Sequence, residues 1–322
     1  MTEKRSKISD ALVGFAVGDA LGVPVEFTSR EDLAKNPVKD MQEFGEHNQP
    51  AGTWSDDSSM VFCTAESLCH GYNLEDIAGQ FSKWRNRRFW TPHGRVFDIG
   101  IQTSKAIQRI DRLMEQGLRI KPIPEAGVNE RENGNGSLMR ILPLAFYLAE
   151  QPIEERFRVV RAVSGLTHSH IRAVLGCFIY VEFAIGLLKG SDNYTAYGEI
   201  RRQLPEFLQS KAGLAEVELY SRILEHNIAE YPEVSINSSP YVVHSLEACL
   251  WSFLRGNTFR DTVLQAVNLG EDTDTIGALT GGLAAICYGL KQIPNDWIDV
   301  LARKEDIFDL AARLEKSLAL PR

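Results

Sequence analysis

What this chain lacks narrows it first. Its five cysteines, among 322 residues, are an odd count with no C-x-x-C motif. They lie in apolar stretches such as Val61-Phe62-Cys63, Cys177-Phe178-Ile179, Ala248-Cys249-Leu250 and Ala285-Ile286-Cys287. That usage excludes a disulfide framework and predicts buried, reduced thiols in a cytoplasmic protein. Positive charge is in deficit: 35 Lys and Arg stand against 43 Asp and Glu, a net charge of −8. Duplex binding and polybasic membrane anchoring both need clustered cations, so no nucleic-acid surface and no membrane partner is expected. The longest uncharged run, Thr275 to Leu290, falls short of the roughly 20 residues that span a bilayer. The apolar stretch after MTEKRSKISD is interrupted by Asp19 and meets no small-residue cleavage site, so no secretory signal is expected. Sustained period-two alternation, low-complexity linkers and solenoid repeats are also missing. With 44% hydrophobic and 24% charged residues, wholesale disorder is excluded.

What is present is helical spacing almost throughout. Ile8, Leu12 and Phe15 mark one stripe and Ile77, Phe81 and Trp84 another. A third runs through Ile99, Thr103, Ala106, Ile107, Ile110 and Met114 to a C-terminal cap at Gly117. Further helices are expected over 137–149, 153–165, 170–188, 213–230, 241–255, 259–268, 275–290 and 305–318. The expectation is one all-α domain over residues 1–322, a compact orthogonal bundle of about a dozen helices, with long loops at 28–56 and 119–136. Gly14, Gly18 and Gly22 recur every four residues, as do Gly277, Gly281, Ala285 and Gly289. Residues four apart share a helix face, so each segment offers a groove into which another backbone can settle. These two helices are expected to lie centrally and to cross, bringing the acidic residues that flank them together.

Those acidic residues are the strongest chemical signal. Ser55-Asp56-Asp57-Ser58 and Glu271-Asp272-Thr273-Asp274-Thr275 each precede an apolar helical run, beginning at Met60 and at Ile276. Such residues cap helices and favour the positive end of the helix dipole. A cap needs one oxygen, however, and each cluster supplies two carboxylates plus hydroxyls. Asp272 and Asp274, two apart, would point to opposite sides within a helix, so their convergence requires the irregular turn that Gly270 permits. Converging oxygens without Cys or paired His suit Mg²⁺ or Mn²⁺ rather than Zn²⁺. Two clusters are the material for a metal pair that activates water.

Asn133-Gly134-Asn135-Gly136-Ser137, followed by Leu138-Met139-Arg140, is the third feature. It is either an ordinary turn or an anion cradle of exposed backbone N–H groups, with Ser137 capping the next helix. Neither a Walker loop nor a dinucleotide fingerprint is present. Three further candidates have two readings each. Glu26 is a solvated loop carboxylate or a functional one. Asp98, in Phe97-Asp98-Ile99-Gly100, is a helix cap or a site residue. Of His168 and His170, which diverge once helical, one is expected to contact a ligand or cap a helix rather than both to bind metal.

Taken together and in chain order, several segments resemble the ADP-ribosylglycohydrolases related to dinitrogenase-reductase-activating glycohydrolase. They are Gly18-Asp19-Ala20-Leu21-Gly22 with Glu26, Ser55-Asp56-Asp57-Ser58, Gly134-Asn135-Gly136-Ser137 with Met139-Arg140, Thr167-His168, and Asp272-Thr273-Asp274-Thr275. The resemblance spans residues 10 to 290 and implies a compact all-α fold with a binuclear Mg²⁺ or Mn²⁺ centre. By motif, the metal ligands would be Ser55, Asp56, Asp57, Asp272, Asp274 and Thr275, with Glu26 a gating or acid/base carboxylate beside them. Catalysis would fall to Glu26, Asp56 and Asp98. Substrate contacts would come from Asp98, Gly134, Asn135, Gly136, Ser137, Met139 and His168. Ser55 and Ser58 depart from the family's commoner Thr, keeping the hydroxyl but losing the methyl that restricts its rotamer.

The implied reaction is hydrolysis of the glycosidic bond between ADP-ribose and an acceptor, which needs a positioned water and recognition of a diphosphate. Phe97-Asp98-Ile99-Gly100 resembles the arginine-directed members, which implies ADP-ribosyl-arginine on a protein, or a small molecule carrying the same linkage, as substrate. Two alternatives stand beside it. One is a non-catalytic or dual-role partner that occludes an ADP-ribosyltransferase toxin. The other is a different all-α nucleotide metallohydrolase, for which the chain has neither a His-Asp dipeptide nor a D-D-x-x-D motif.

Overall fold

The structure is a computed structural model and describes residues 7–124 and 132–319. Among these residues there are sixteen α-helices, five 3₁₀ turns and no β-strand. In order the first helices are α1 (Lys7–Gly22), α2 (Arg30–Lys35), α3 (Asp56–Leu68), α4 (Leu74–Arg87) and α5 (Ile101–Glu115). The middle of the chain forms α6 (Pro143–Leu148), α7 (Ile153–Ser164), α8 (Ile171–Leu188), α9 (Asn193–Ala212), α10 (Leu214–Glu218) and α11 (Ser221–Leu224). The last are α12 (Val242–Arg255), α13 (Phe259–Val267), α14 (Thr273–Tyr288), α15 (Asn295–Asp299) and α16 (Lys304–Leu318). Eleven of them have seven residues or more, so the expected dozen is close to the count of long helices.

α1 and α14 form the centre and cross as the small-residue stripes predict. A Cβ added at Gly18 would stand 2.0 Å from Gly277 O, and one at Gly281 would stand 2.3 Å from Gly14 O. Only glycine lets the backbones approach this closely. Gly289 is the exception in the stripe: it ends α14 at φ +85° and serves as its C-terminal cap. The crossing sets the C-terminal end of α1 against the N-terminal end of α14, with Thr273 Oγ1 donating to Gly22 O at 2.8 Å.

Other expectations needed correction. Pro143 at the start of α6 divides the 137–149 segment into a 3₁₀ turn, Leu138–Arg140, and a separate short helix. Residues 213–230 fold as two short helices and a 3₁₀ turn rather than one helix. α9 was not anticipated: it carries Pro205 internally and buries only Ala196, Tyr197, Ile200, Leu204 and Leu208. Met114 is 47% exposed, outside the buried stripe of α5. Cys63, Cys177 and Cys249 are buried, whereas Cys69 and Cys287 are half-buried, and all five are free thiols. Two helical segments, Lys7–Val25 and Ile171–Leu188, are long and apolar enough to cross a membrane, and 89% of each is buried inside the protein as core.

Candidate active site

Three helix ends meet at one end of a cleft of about 330 Å³. The two helices that follow the acidic clusters begin earlier than their apolar runs suggest. α3 starts at Asp56, capped by Ser55, whose hydroxyl accepts from Asp57 N and donates to Asp57 Oδ2 at 3.2 Å. α14 starts at Thr273 with Asp272 at its N-cap, so Asp272 and Asp274 straddle the first turn instead of lying in a preceding loop. Glu26 follows the 3₁₀ turn that ends α1. As a result one carboxylate oxygen from each of Glu26, Asp272 and Asp274 lies within 4.8 Å of the other two. Asp56, Asp57, Asp98 and Thr275 line the same end of the cleft, and Thr275 Oγ1 donates to Asp57 Oδ2 at 3.4 Å.

Two residues that sequence reasoning did not single out as site residues shape this end. Asp19, fully buried in α1, accepts from Ser55 N at 2.9 Å, Ser58 N at 3.0 Å and Ser58 Oγ at 2.6 Å. It pins the start of α3 to the central helix pair, and it stood in a quoted motif without a role. His47 comes from the segment between α2 and α3, the 28–56 span expected as one loop being interrupted by α2, and its Nε2 pairs with Glu26 Oε2. Its ring nitrogen, a Glu26 oxygen and an Asp98 oxygen form a second convergent group within 4.8 Å. The only signal for His47 was the length of its loop.

Another stretch of the cleft wall is backbone-rich. Gly134, Asn135 and Gly136 line it, held by Asn135 N donating to Pro240 O at 3.0 Å and Val242 N to Asn133 O at 3.0 Å. A Cβ at Gly136 would meet His168 Cε1 at 2.7 Å and Thr103 Oγ1 at 2.9 Å, so glycine is required for the loop to lie against His168. Arg140, buried beneath, donates to Gly136 O and, at 3.1 Å, to Val163 O. α5 points its N-terminus at the same space. Its N-cap is Gly100, with no side-chain oxygen over the first turn, and Gly100 to Thr103 line the cleft. Uncapped N–H groups at a helix start suit an anion. Asn135 joins the two ends, donating from Nδ2 to Asp272 Oδ2 at 2.6 Å and to Ser245 Oγ at 2.9 Å.

The electrostatics of the two ends are opposed. Burial pushes Asp19 up to about 6 and Glu26 and Asp272 up to about 7. Burial and then neighbouring carboxylates hold Asp56, Asp57 and Asp274 well above the usual range. Asp98 is raised by burial, and the hydrogen bond His47 donates to the Glu26 carboxylate raises His47. His168 moves the other way, to about 3, through burial and then the Arg140 charge, so it is neutral at physiological pH. Asp57 Oδ1 and Asp274 Oδ2 are buried without a hydrogen-bond partner among the described residues. Buried acceptors are normally satisfied. An oxygen-rich donor set with two orphaned carboxylate oxygens fits a hard divalent cation.

Several predicted roles read differently in the structure. Ser55 lies behind Asp57 with its hydroxyl engaged there, and does not line the cleft. Ser137 does not cap the following turn. Its hydroxyl faces the core, 3.3 Å from Cys177 Sγ and accepting from Ser164 Oγ at 2.9 Å, because Ser164 and Cys177 fill the space behind the loop. Asp98 does not cap α5, since Gly100 holds that position, and it stands in the left-handed region at φ +53°. Met139 and His168 both line the cleft. His170 instead caps α8, accepting from Arg172 N at 3.2 Å.

Fold and site together define a class: a helical protein with buried carboxylates gathered at the ends of crossed helices, beside a glycine-rich loop. The ADP-ribosylglycohydrolase family model matches residues 1–321; the chain belongs to that family and is a hydrolase. It is 30% identical over 318 residues to the ADP-ribosylarginine hydrolase Tri1 of Serratia proteamaculans (strain 568), covering 97% of this chain and 80% of that one. It is 28% identical to the ADP-ribosyl-[dinitrogen reductase] glycohydrolase of Rhodospirillum rubrum, covering 91% of this chain and 90% of that protein. A solved structure described as an ADP-ribosylglycohydrolase-related protein complex superposes with a TM-score of 0.79 at 30% identity, over 99% of this chain and all of the other.

Proposed function

We propose that the protein hydrolyses the glycosidic bond of ADP-ribosyl-arginine on proteins, releasing ADP-ribose. The observation that carries this reading is that one cleft joins the convergent carboxylates to the uncapped start of α5 at Gly100 and to Gly134 and Gly136. A substrate with a ribose at one end and a diphosphate at the other needs that pairing. The carboxylates of Asp56, Asp57, Asp272 and Asp274, with Thr275 and with Ser55 behind them, would hold a pair of Mg²⁺ or Mn²⁺ ions. When bound, such a pair polarises ribose oxygens and lowers the pKa of water.

The chain's own groups do the rest. Backbone N–H groups of Gly134, Gly136 and the start of α5 receive the diphosphate, and neutral His168 lines the same wall. This reassigns the diphosphate contact from the Ser137 hydroxyl to the loop backbone. Glu26, poised near 7 and linked to His47, takes a proton from the attacking water close to neutrality. Asp98 receives the guanidinium of the leaving arginine in a two-pronged pair.

The test is a panel of ADP-ribose linked to arginine, serine, acetyl and nucleic-acid acceptors, read by release of free ADP-ribose. Preferential release from arginine supports the reading. Release of phosphate instead would place the chemistry in another class of metallohydrolase.

A further inference from the structure

The lip of the carboxylate end carries a residue that the catalytic reading leaves without a purpose. Phe27, next to Glu26, is 63% exposed and stands at φ +63°. A bulky side chain in the left-handed region is an outlier, and an exposed ring gains little from the core. The backbone conformation has a clear use. Phe27 N donates to Glu271 O at 2.7 Å and Glu271 N to Thr28 O at 2.8 Å, tying the Glu26 turn to the Asp272 turn. Glycine would meet that backbone demand without strain. The ring therefore answers to something outside the chain.

We propose that Phe27 is an acceptor-specificity residue whose ring stacks on the guanidinium of ADP-ribosyl-arginine while Asp98 pairs with its edge. The inference rests on the arginine reading above. Phe27 lines the cleft beside Glu26 and Asp98. Its ring centroid is 6.2 Å from that of His47, which is 5.3 Å from Phe97, so two phenyl rings flank the imidazole that joins the Glu26–Asp98 group. Adenine would also stack on a phenyl ring, and that contact would show as lost ADP-ribose affinity in variants of Phe27. A planar cation gains both from the ring face and from the carboxylates beside it, and arginine is the acceptor that supplies one.

The test uses the full chain with Mg²⁺ or Mn²⁺ and the variants Phe27→Gly, Phe27→Leu and Phe27→Tyr. A cation–π contact of this kind predicts that Phe27→Gly and Phe27→Leu raise KM for the arginine-linked substrate roughly threefold to thirtyfold, with kcat changed less. Phe27→Tyr restores the wild-type value. Phe27→Gly melts at or slightly above the wild type, since glycine relieves the strained φ, and it binds the product ADP-ribose, which has no guanidinium, as the wild type does. Unchanged KM in Phe27→Gly, or an equal loss of ADP-ribose affinity with a lowered melting temperature, overturns the role of Phe27 and leaves the arginine reading intact. A wild type that fails to cleave the arginine-linked substrate overturns both.

Discussion

The two ends of the cleft are built on opposite principles. At the Gly134–Gly136 end the chain supplies its own supports: Pro240 holds the loop backbone, Arg140 holds a loop carbonyl, and Thr167 Oγ1 lies 2.7 Å from His168 Nδ1. At the carboxylate end the chain gathers acids that it does not neutralise, and leaves Asp57 Oδ1 and Asp274 Oδ2 with no partner among the described residues. The first end takes its shape from the chain's own hydrogen bonds. The second is strained by its own charge and is stabilised only by protons or by a bound cation. A binding surface tolerates self-sufficiency, whereas a reactive centre is defined by what it still has to receive.

The widest gap between the ends comes from deleting charge at the acidic one. Asp272→Asn and Asp274→Asn should each lower turnover on the order of a thousandfold or more, about 4 kcal/mol of barrier, while the fold persists. Because each removes one of several repelling buried carboxylates, the melting temperature without divalent ions should stay level or rise. Steady-state kinetics and thermal melts in chelator check both halves. Turnover like the wild type in both variants, or full activity in excess chelator, would sink the proposed metal centre.

Much of this contrast was legible in the chain, for local reasons. The α1–α14 crossing could be read because Gly14, Gly18, Gly277 and Gly281 repeat at helical spacing, and a small-residue face has few uses other than close approach. The carboxylates could be read because their number exceeds what capping requires. The exact helix starts could not, since Asp56 and Asp272 look alike as caps and as first-turn residues until tertiary contacts choose. Asp19 was hidden inside an apolar helix, where its two backbone acceptor contacts depend on where α3 begins. His47 was hidden because its pairing with Glu26 depends on the path of a loop, which no periodicity describes. α9 was hidden by Pro205 and by a long polar face.

Adding a divalent cation should change one end and spare the other. At a hundredfold excess of Mg²⁺ or Mn²⁺ over its dissociation constant, an ion bound only by the native state adds about 2.7 kcal/mol. The melting temperature should rise accordingly in the wild type and rise much less in Asp274→Asn. ADP-ribose should raise it further, and ribose alone less, because the Asn-Gly end adds its grip only when a diphosphate is present. Absence of any shift with ADP-ribose and divalent ions together would remove the cleft as the ligand site.

The pH dependence sharpens the comparison further, since the ends carry opposite signs. Glu26 and Asp272 rise from 4.5 and 3.8 to about 7 on folding, so the native state holds their protons longer. Their contribution is fully present below pH 4 and is lost as pH rises through 7. His168 falls from 6.5 to about 3, so its contribution is present above pH 6.5 and is lost as pH falls toward 3. Each net proton is about 1.4 kcal/mol per pH unit. With several carboxylates against one histidine, stability in chelator should decline from pH 5 to 7, and saturating Mg²⁺ or Mn²⁺ should flatten or reverse that slope. Melting curves across this range test it; identical slopes with and without the cation would mean that the acids do not bind it.

The smallest effect belongs to Asp98, at the margin of the acidic end, and it separates recognition from structure. Gly100 caps α5, so Asp98 has no capping duty to lose. Asparagine keeps the shape and accepts the left-handed φ of +53° that Asp98 adopts. Asp98→Asn should therefore melt near the wild type, or slightly higher, because it removes one of the crowded carboxylates. What it loses is the charge facing the acceptor, worth about 1.5 kcal/mol for one hydrogen bond to an ion, or roughly tenfold in kcat/KM. That loss should appear with the arginine-linked substrate and be smaller with a serine-linked one, which offers no guanidinium. Equal activity of the variant on arginine-linked substrate, or a wild type that prefers serine linkages, would move Asp98 from acceptor recognition to the general charge of the acidic end.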